Sequence, residues 1–263
     1  MMRTVQKATI LVFIASFFAL YFGCDTKSKK HIELEKSRSE NIELIDIDGY
    51  IRETKHQLSA AARDEILVIE NNITQSDIDA DIIENYKTLA SLWYGRGYPL
   101  ISGFYAEQVA KKMDTGQSWS IAGTTYALFL QDNNDSDEMR RKYAAQKSRA
   151  AYGNAIEIDS SNIDSKINLA LSYVDMPVED NPMKGILMLV DLSKKHPENP
   201  SVLFQLGRLA LGTNQIEKAV SRLTQAISVR PDYREAHCLL AVAYNKLGDT
   251  TKAEKAQQNC DSN

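Results

Sequence analysis

The chain predicts an all-α fold, a solenoid of about five helix pairs, and three observations predict it. First, Pro200–Tyr233 can be laid over the residues from Arg234 onward at a shift of 34 residues. Leu203, Leu206, Gly207, Ala210, Ala219, Leu223 and Ala226 fall opposite His237, Leu240, Ala241, Tyr244, Ala253, Gln257 and Cys260, and Pro231 closes the first copy. Second, 12 glycines and 6 prolines in 263 residues leave few turn signals, and strand-like alternation is hard to find. Third, apolar residues outside the repeat keep helical spacing, as at Ile66, Ile69 and Ile73.

Length and composition permit one extended or two compact domains. The formal charge is −4, and Arg3 and Lys7 are the charged residues before Cys24; without them 29 basic residues stand against 35 acidic ones, a balance of −6. No basic stripe interrupts that mildly acidic body, so nucleic acid, whose phosphates need clustered cations, is not an expected partner. The cysteines, Cys24, Cys238 and Cys260, form no C-x-x-C, and His31, His56, His196 and His237 supply no paired spacing for tetrahedral ligation. Neither a metal nor another cofactor is expected.

The elements follow in order. Residues 1–23 read as a signal or anchor: a basic start, then the uncharged run Ala8–Gly23, then a polar stretch. Gly23-Cys24 resembles the end of a bacterial lipobox, which would make Cys24 the lipidated residue, although Tyr21 and Phe22 stand where a Leu and a small residue are usual. An uncleaved signal anchor is the second reading, with an apolar run short of the roughly twenty residues a bilayer asks for and lysines at 27, 29 and 30 flanking its far side. A cleaved or buried segment is the third. Both tethering readings place the body on the extracytoplasmic side of a bacterial membrane. Residues 24–46 are too polar to offset ordering entropy and read as a flexible linker. Residues 47–82 read as one or two capping helices, with Ser59 as an N-cap.

The 34-residue register of residues 200–263 resembles the tetratricopeptide repeat (TPR) family, which keeps large residues at positions 4, 7 and 11, small ones at 8, 20 and 27, and proline near 32. Small Gly207, Ala219 and Ala226 let the two backbones of a pair approach, and Pro231 stops the second helix. Ile163 starts an earlier copy, with Leu169, Ala170 and Tyr173, then Gly185, Leu189, Leu192 and Pro197 after a turn, MPVEDNP, about three residues longer. Trp119, Ala122, Gly123 and Tyr126 are similar to the family's W-x-x-L-G-x-x-Y, and their partner helix, with Ser148, Tyr152 and Ala155, follows an insertion through DNNDSDEMRRK. Tyr86, Leu89, Ala90 and Trp93, then Gly97, Ser102, Ala106 and Val109, make the first copy. The resemblance implies a right-handed α-solenoid with repeats at 83–115, 116–162, 163–199, 200–233 and 234–263. The stretches ASLWYGRGYPLISGFYAEQVA and DNPMKGILML further resemble the membrane-anchored TPR proteins of Bacteroidetes, which carry anchor, stalk and repeat body in the same order.

In TPR arrays positions 2, 5, 9 and 12 of each first helix line a concave peptide-binding groove. The matching residues are Glu84, Lys87, Ser91 and Tyr94; Gln117, Ser120, Thr124 and Ala127; Ile167, Leu171 and Val174; Phe204, Arg208 and Leu211; and Glu235, Cys238, Val242 and Asn245. The Lys/Asn carboxylate clamp of the family's chaperone-binding members is absent, because Ser91 follows Lys87 and Leu171 follows Ile167. The C-terminal half is the more apolar, so an apolar or amphipathic segment around Ile167, Leu171 and Phe204, with an acid on Arg208, is one expectation. Packing of Ile167, Leu171 and Phe204 beneath neighbouring helices is the other. The template puts position 5 toward the groove and position 27 toward the partner helix, so Cys238 and Cys260 need not meet, and a disulfide is left open.

No G-x-S-x-G, H-E-x-x-H or phosphate loop occurs, so an enzyme is not expected. Asp132–Glu138 lacks the order of a calcium loop and reads as a solvated insertion; Asn72-Ile73-Thr74 fits a sequon that nothing else supports. The expected function is a membrane-tethered scaffold or adaptor for protein–protein interaction in the bacterial envelope. The alternatives are an assembly factor resembling those of cytochrome c maturation and a non-catalytic subunit of an envelope enzyme.

Overall fold

The computed structural model describes residues 45–132 and 137–262. The signal or anchor segment, Cys24 and most of the polar linker lie outside the described residues. Within them the chain forms twelve helices. The first two are α1 (Ile47–Gln57) and α2 (Ala60–Gln75). Five sequential pairs follow: α3 (Asp79–Gly95) with α4 (Pro99–Met113), α5 (Gly116–Gln131) with α6 (Glu138–Ile158), α7 (Ile163–Asp175) with α8 (Lys184–Lys195), α9 (Pro200–Gly212) with α10 (Ile216–Val229), and α11 (Arg234–Leu247) with α12 (Thr250–Ser262). Among the described residues, no helix is long and apolar enough to cross a membrane.

Local chemistry sets the boundaries. Ser59 caps α2 by accepting from the Ala62 amide at 3.3 Å, and Asp137, Asn162 and Asn199 do the same for α6, α7 and α9. Thr115 and Ser118 form a reciprocal capping box at the start of α5. Pro200 opens α9, where its missing N–H costs nothing. Pro231 follows the end of α10, and Gly248, at φ +78°, takes the left-handed turn that ends α11.

In the first three pairs the eighth position of the first helix meets the twentieth. Ser102 donates to the Ala90 carbonyl at 2.7 Å and Ser148 to the Gly123 carbonyl at 2.9 Å. At the same register in the third pair Gly185 lies so near α7 that a Cβ would sit 2.3 Å from the Ala170 carbonyl oxygen. Gly123 and Gly207 receive the Tyr152 ring and the Leu223 side chain on their open sides. Small residues thus set the spacing, and large ones fill the core around them: Leu89, Trp93, Tyr126, Tyr152, Leu189, Leu203 and Leu223 are fully buried. Ser148→Ala is expected to cost only about 1 kcal/mol in urea denaturation, because one hydrogen bond is lost from a site that a methyl still fills.

Two regions show more structure than their sequence suggested. Half of the supposed insertion DNNDSDEMRRK is helix: α6 begins at Glu138 and runs for 21 residues. Its first turns are held by the Lys142–Glu138 pair at 2.6 Å and by Arg141, which donates to the Leu130 and Asp132 carbonyls left open at the end of α5. The capping helices also do more than cover one end. Whereas α2 packs on α3, α1 reaches the second pair, with Tyr50 beneath the Arg140 guanidinium at 5.3 Å. Glu70 ties α1 and α2 to α4, accepting from Lys55 at 2.8 Å and from the Tyr105 hydroxyl at 2.9 Å.

Candidate peptide-binding groove

First helices of neighbouring pairs touch at two junctions, α5 with α7 and α9 with α11, and Ser120 and Ser165 share a hydrogen bond of 2.5 Å across the first of these contacts. Their outward residues form surface across each junction, and its chemistry depends on which side chains remain exposed. Lys87, Ser91, Tyr94, Thr124, Arg208, Val242 and Asn245 are exposed, with Tyr94 at 55% and Val242 at 44%. Lys87 pairs with Glu84 at 3.3 Å, Thr124 lies 3.1 Å from the Tyr152 hydroxyl, and the Arg208 Nε donates to Gln205 at 2.8 Å.

The apolar residues behave otherwise. Ile167 is only 4% exposed and lies in the core with Ala170, Leu189, Leu192 and Val202, where Leu171 packs against it. Phe204 is half-buried, its ring centroid 4.9 Å from that of Tyr233, and Leu211 is buried with Ile216, Ala219 and Ala243. The expected apolar C-terminal half is therefore largely consumed by packing between repeats. Helical spacing alone assigns a face, and burial against the next pair removes that face from solvent. What stays open there is Arg208, Val242 and Asn245. Cys238 is half-buried and disulfide-bonded to Cys260, with Cα atoms 4.9 Å apart. The template's outward position 5 and inward position 27 do meet, because position 5 lies on the flank of α11 nearest the last turn of α12.

Electrostatics stiffen the surface from behind. Glu107 of α4, 7% exposed, accepts from the Tyr126 hydroxyl of α5 at 2.7 Å, from Lys111 at 2.8 Å and from Lys147 of α6 at 3.2 Å. Burial works to raise its pKa, but the Lys111 hydrogen bond, the Lys147 charge and the Tyr126 hydroxyl together hold it below its ordinary value. Burial, with the Glu107 charge, pushes Tyr126 strongly upward, so it stays a neutral donor. At the end of α7, burial raises Asp175 above the usual carboxylate value, against the charges of Arg208 and Arg141. The Glu107 node escaped the sequence reading, though a Glu four residues before Lys111 on an otherwise apolar helix is its only local sign. The arrangement provides hydroxyl, amide and guanidinium contacts on a rigid scaffold. Among the described residues no group of three or more His, Cys, Asp or Glu side chains is placed to hold a metal ion.

No curated protein matches the chain. Among solved structures it is similar to MamA, at 13% identity over 65% of this chain and 92% of that one with a TM-score of 0.43. It is similar to MamA from Desulfovibrio magneticus RS-1, residues 41 to the end, at 13% identity over 68% and 93% with a TM-score of 0.44. It is also similar to YrrB, described as a TPR protein with an unusual peptide-binding site, at 14% identity over 67% and 83% with a TM-score of 0.38. Superpositions this loose carry no functional argument. The family model described as tetratricopeptide repeat matches residues 200–233 and 235–262, which are α9 with α10 and α11 with α12. The C-terminal two helix pairs of this all-α chain thus match the tetratricopeptide repeat, and the pairs before them continue the same sequential pairing of helices.

Proposed function

We propose that the chain is a membrane-tethered scaffold that holds segments of other proteins along the exposed side chains of its first helices, outside the cytoplasm. The observation that carries the reading is the exposure of Tyr94, Thr124, Arg208, Val242 and Asn245 on first helices, of which α5 touches α7 and α9 touches α11, in an array whose last two pairs match the tetratricopeptide repeat. A repeat array adds surface with each pair and no enclosed pocket, which suits an extended polypeptide. With Ile167, Leu171 and Phe204 spent on packing, the preferred segment is polar, with an acid toward Arg208 and single apolar side chains at Tyr94 and Val242.

The tether rests on the basic start, the apolar run Ala8–Gly23 and Cys24. The extracytoplasmic side is supported by the Cys238–Cys260 disulfide, since such bonds persist in oxidising compartments. Intact mass of the membrane-extracted protein separates the two tethers: a start at Cys24 with added acyl mass marks a lipoprotein, and retained Met1 marks a signal anchor. The groove is tested with a photo-crosslinking residue at Val242, against a control at Leu187, which is 57% exposed on the second helix α8. Adducts specific to Val242 and lost with Arg208→Glu are expected. Equal adducts at both positions, unaffected by Arg208→Glu, would count against the groove.

A further inference from the structure

The last helix lies against its partner through small side chains and one covalent bond. α12 is a 13-residue helix, TTKAEKAQQNCDS, and among its described side chains it buries Ala253, Ala256 and Cys260. The equivalent helix of the preceding pair, α10, buries Ile216, Ala219, Leu223 and Ala226, with Val220 and Ile227 half-buried beside them. Two methyl groups and a sulfur replace the branched chains that fasten α10. Arg234 donates to the Cys260 carbonyl at 3.0 Å, Asp249 accepts from the Lys252 amide at 3.1 Å, and Lys252 lies over the Tyr244 ring at 5.4 Å. A detached helix of this length is marginal in water.

We propose that the Cys238–Cys260 disulfide is a redox-sensitive fastener for α12, and that a dithiol reductant opens it at Cys238, releasing α12 while the rest of the array stays folded. Cys238 is half-buried on α11, whereas Cys260 is 7% exposed, so Cys238 is the sulfur within reach. A thiolate of the dithiol attacks the Cys238 Sγ, the S–S bond breaks, and its electron pair leaves on Cys260, which takes up a proton. The second thiol of the reductant then displaces Cys238 as a thiol and becomes the reductant's disulfide. Two electrons pass to the protein, and two cysteines result. Release uncovers the flank of α11 that α12 covers, where Leu240 and Ala241 cluster with Ala256 and Tyr244 packs against them. Leu239 and Ala243 of the same helix belong with Leu211, Ile216 and Ala219 of the preceding pair and stay covered. The fastener does not depend on what the groove binds.

The test is amide hydrogen exchange by mass spectrometry on the full chain, oxidised, reduced with dithiothreitol, and as Cys260→Ser. Reduction and Cys260→Ser are expected to speed exchange in residues 250–262 roughly a hundredfold, with peptides from α9 and α10 unchanged. Unchanged exchange in α12, or equal loss of protection across α9 to α12, overturns the proposal, as does oxidised protein whose mass shows two free thiols. With limiting glutathione as the reductant, the mixed disulfide is expected on the Cys238 peptide. Its appearance on the Cys260 peptide would refute the route through Cys238.

Discussion

Gly185→Ala is expected to lower the free energy of unfolding by about 3 kcal/mol, read as a fall in the urea midpoint at unchanged slope. The added methyl would sit 2.3 Å from the Ala170 carbonyl oxygen and 2.8 Å from the Val174 side chain and amide. Two of those three atoms belong to the backbone of α7, so no rotamer change removes the overlap, and α7 and α8 must separate. Separation strips contacts from Leu189 and Leu192, which share a core with Ile167, Ala170 and Val202. Equivalent positions elsewhere carry Ser102, Ser148, Ala219 and Ala253, so the family's small-residue rule tolerates a Cβ in general; the third pair is the tight case. Gly153→Ala is the control. That glycine lies inside α6 with nothing near its open side, and the change should stabilise by about 0.5–1 kcal/mol through helix propensity alone. A Gly185→Ala protein within about 0.5 kcal/mol of the parent would show that α7 and α8 move apart without loss.

The second large effect concerns Glu107. Glu107→Ala is expected to cost about 2–3 kcal/mol: it leaves the hydroxyl of Tyr126, itself fully buried, without its acceptor, and it removes the acid that Lys147 reaches across from α6. Tyr126→Phe, which deletes the donor and keeps the packing, should cost about 1 kcal/mol. The sign of the pH dependence follows from the direction of the shift. The carboxyl is held below its ordinary value of 4.5 in the folded chain, so the folded state binds fewer protons than the unfolded state as pH falls toward that value. Its contribution is complete above the unfolded pKa and disappears as pH drops through the folded one. Stability of the parent should therefore fall more steeply below about pH 4.5 than that of Glu107→Gln. Parallel curves from pH 7 to 3 would show that the Glu107 node carries no linkage.

How much of this was legible in advance differs from residue to residue. Small residues recurring at 34-residue spacing from Gly207 to Ala253 announced paired helices, because only close backbone approach gives such residues a reason to recur. Ser59, Gly97 and Pro231 marked boundaries because caps and turns are local chemistry. The groove was less legible. Position numbers assign Ile167, Leu171 and Phe204 to a face, but a side chain on a first helix borders both the open surface and the next pair. An apolar residue at that border moves into the core wherever the neighbour leaves room. The same limit hid the disulfide: position 5 and position 27 are assigned to different directions, and only the actual rotation of α11 against α12 brings Cys238 and Cys260 within bonding distance.

The sequence by itself determined the helices and their pairing in register, since propensity, capping and small-residue periodicity act over a few turns of chain. Tertiary structure alone decided which groove residues stay exposed, that Glu107 is enclosed between α4, α5 and α6, that α1 reaches the second pair, and that Cys238 and Cys260 join α11 to α12. Those outcomes depend on distances between elements far apart in the chain, and such distances are set by the sum of all contacts rather than by any local pattern.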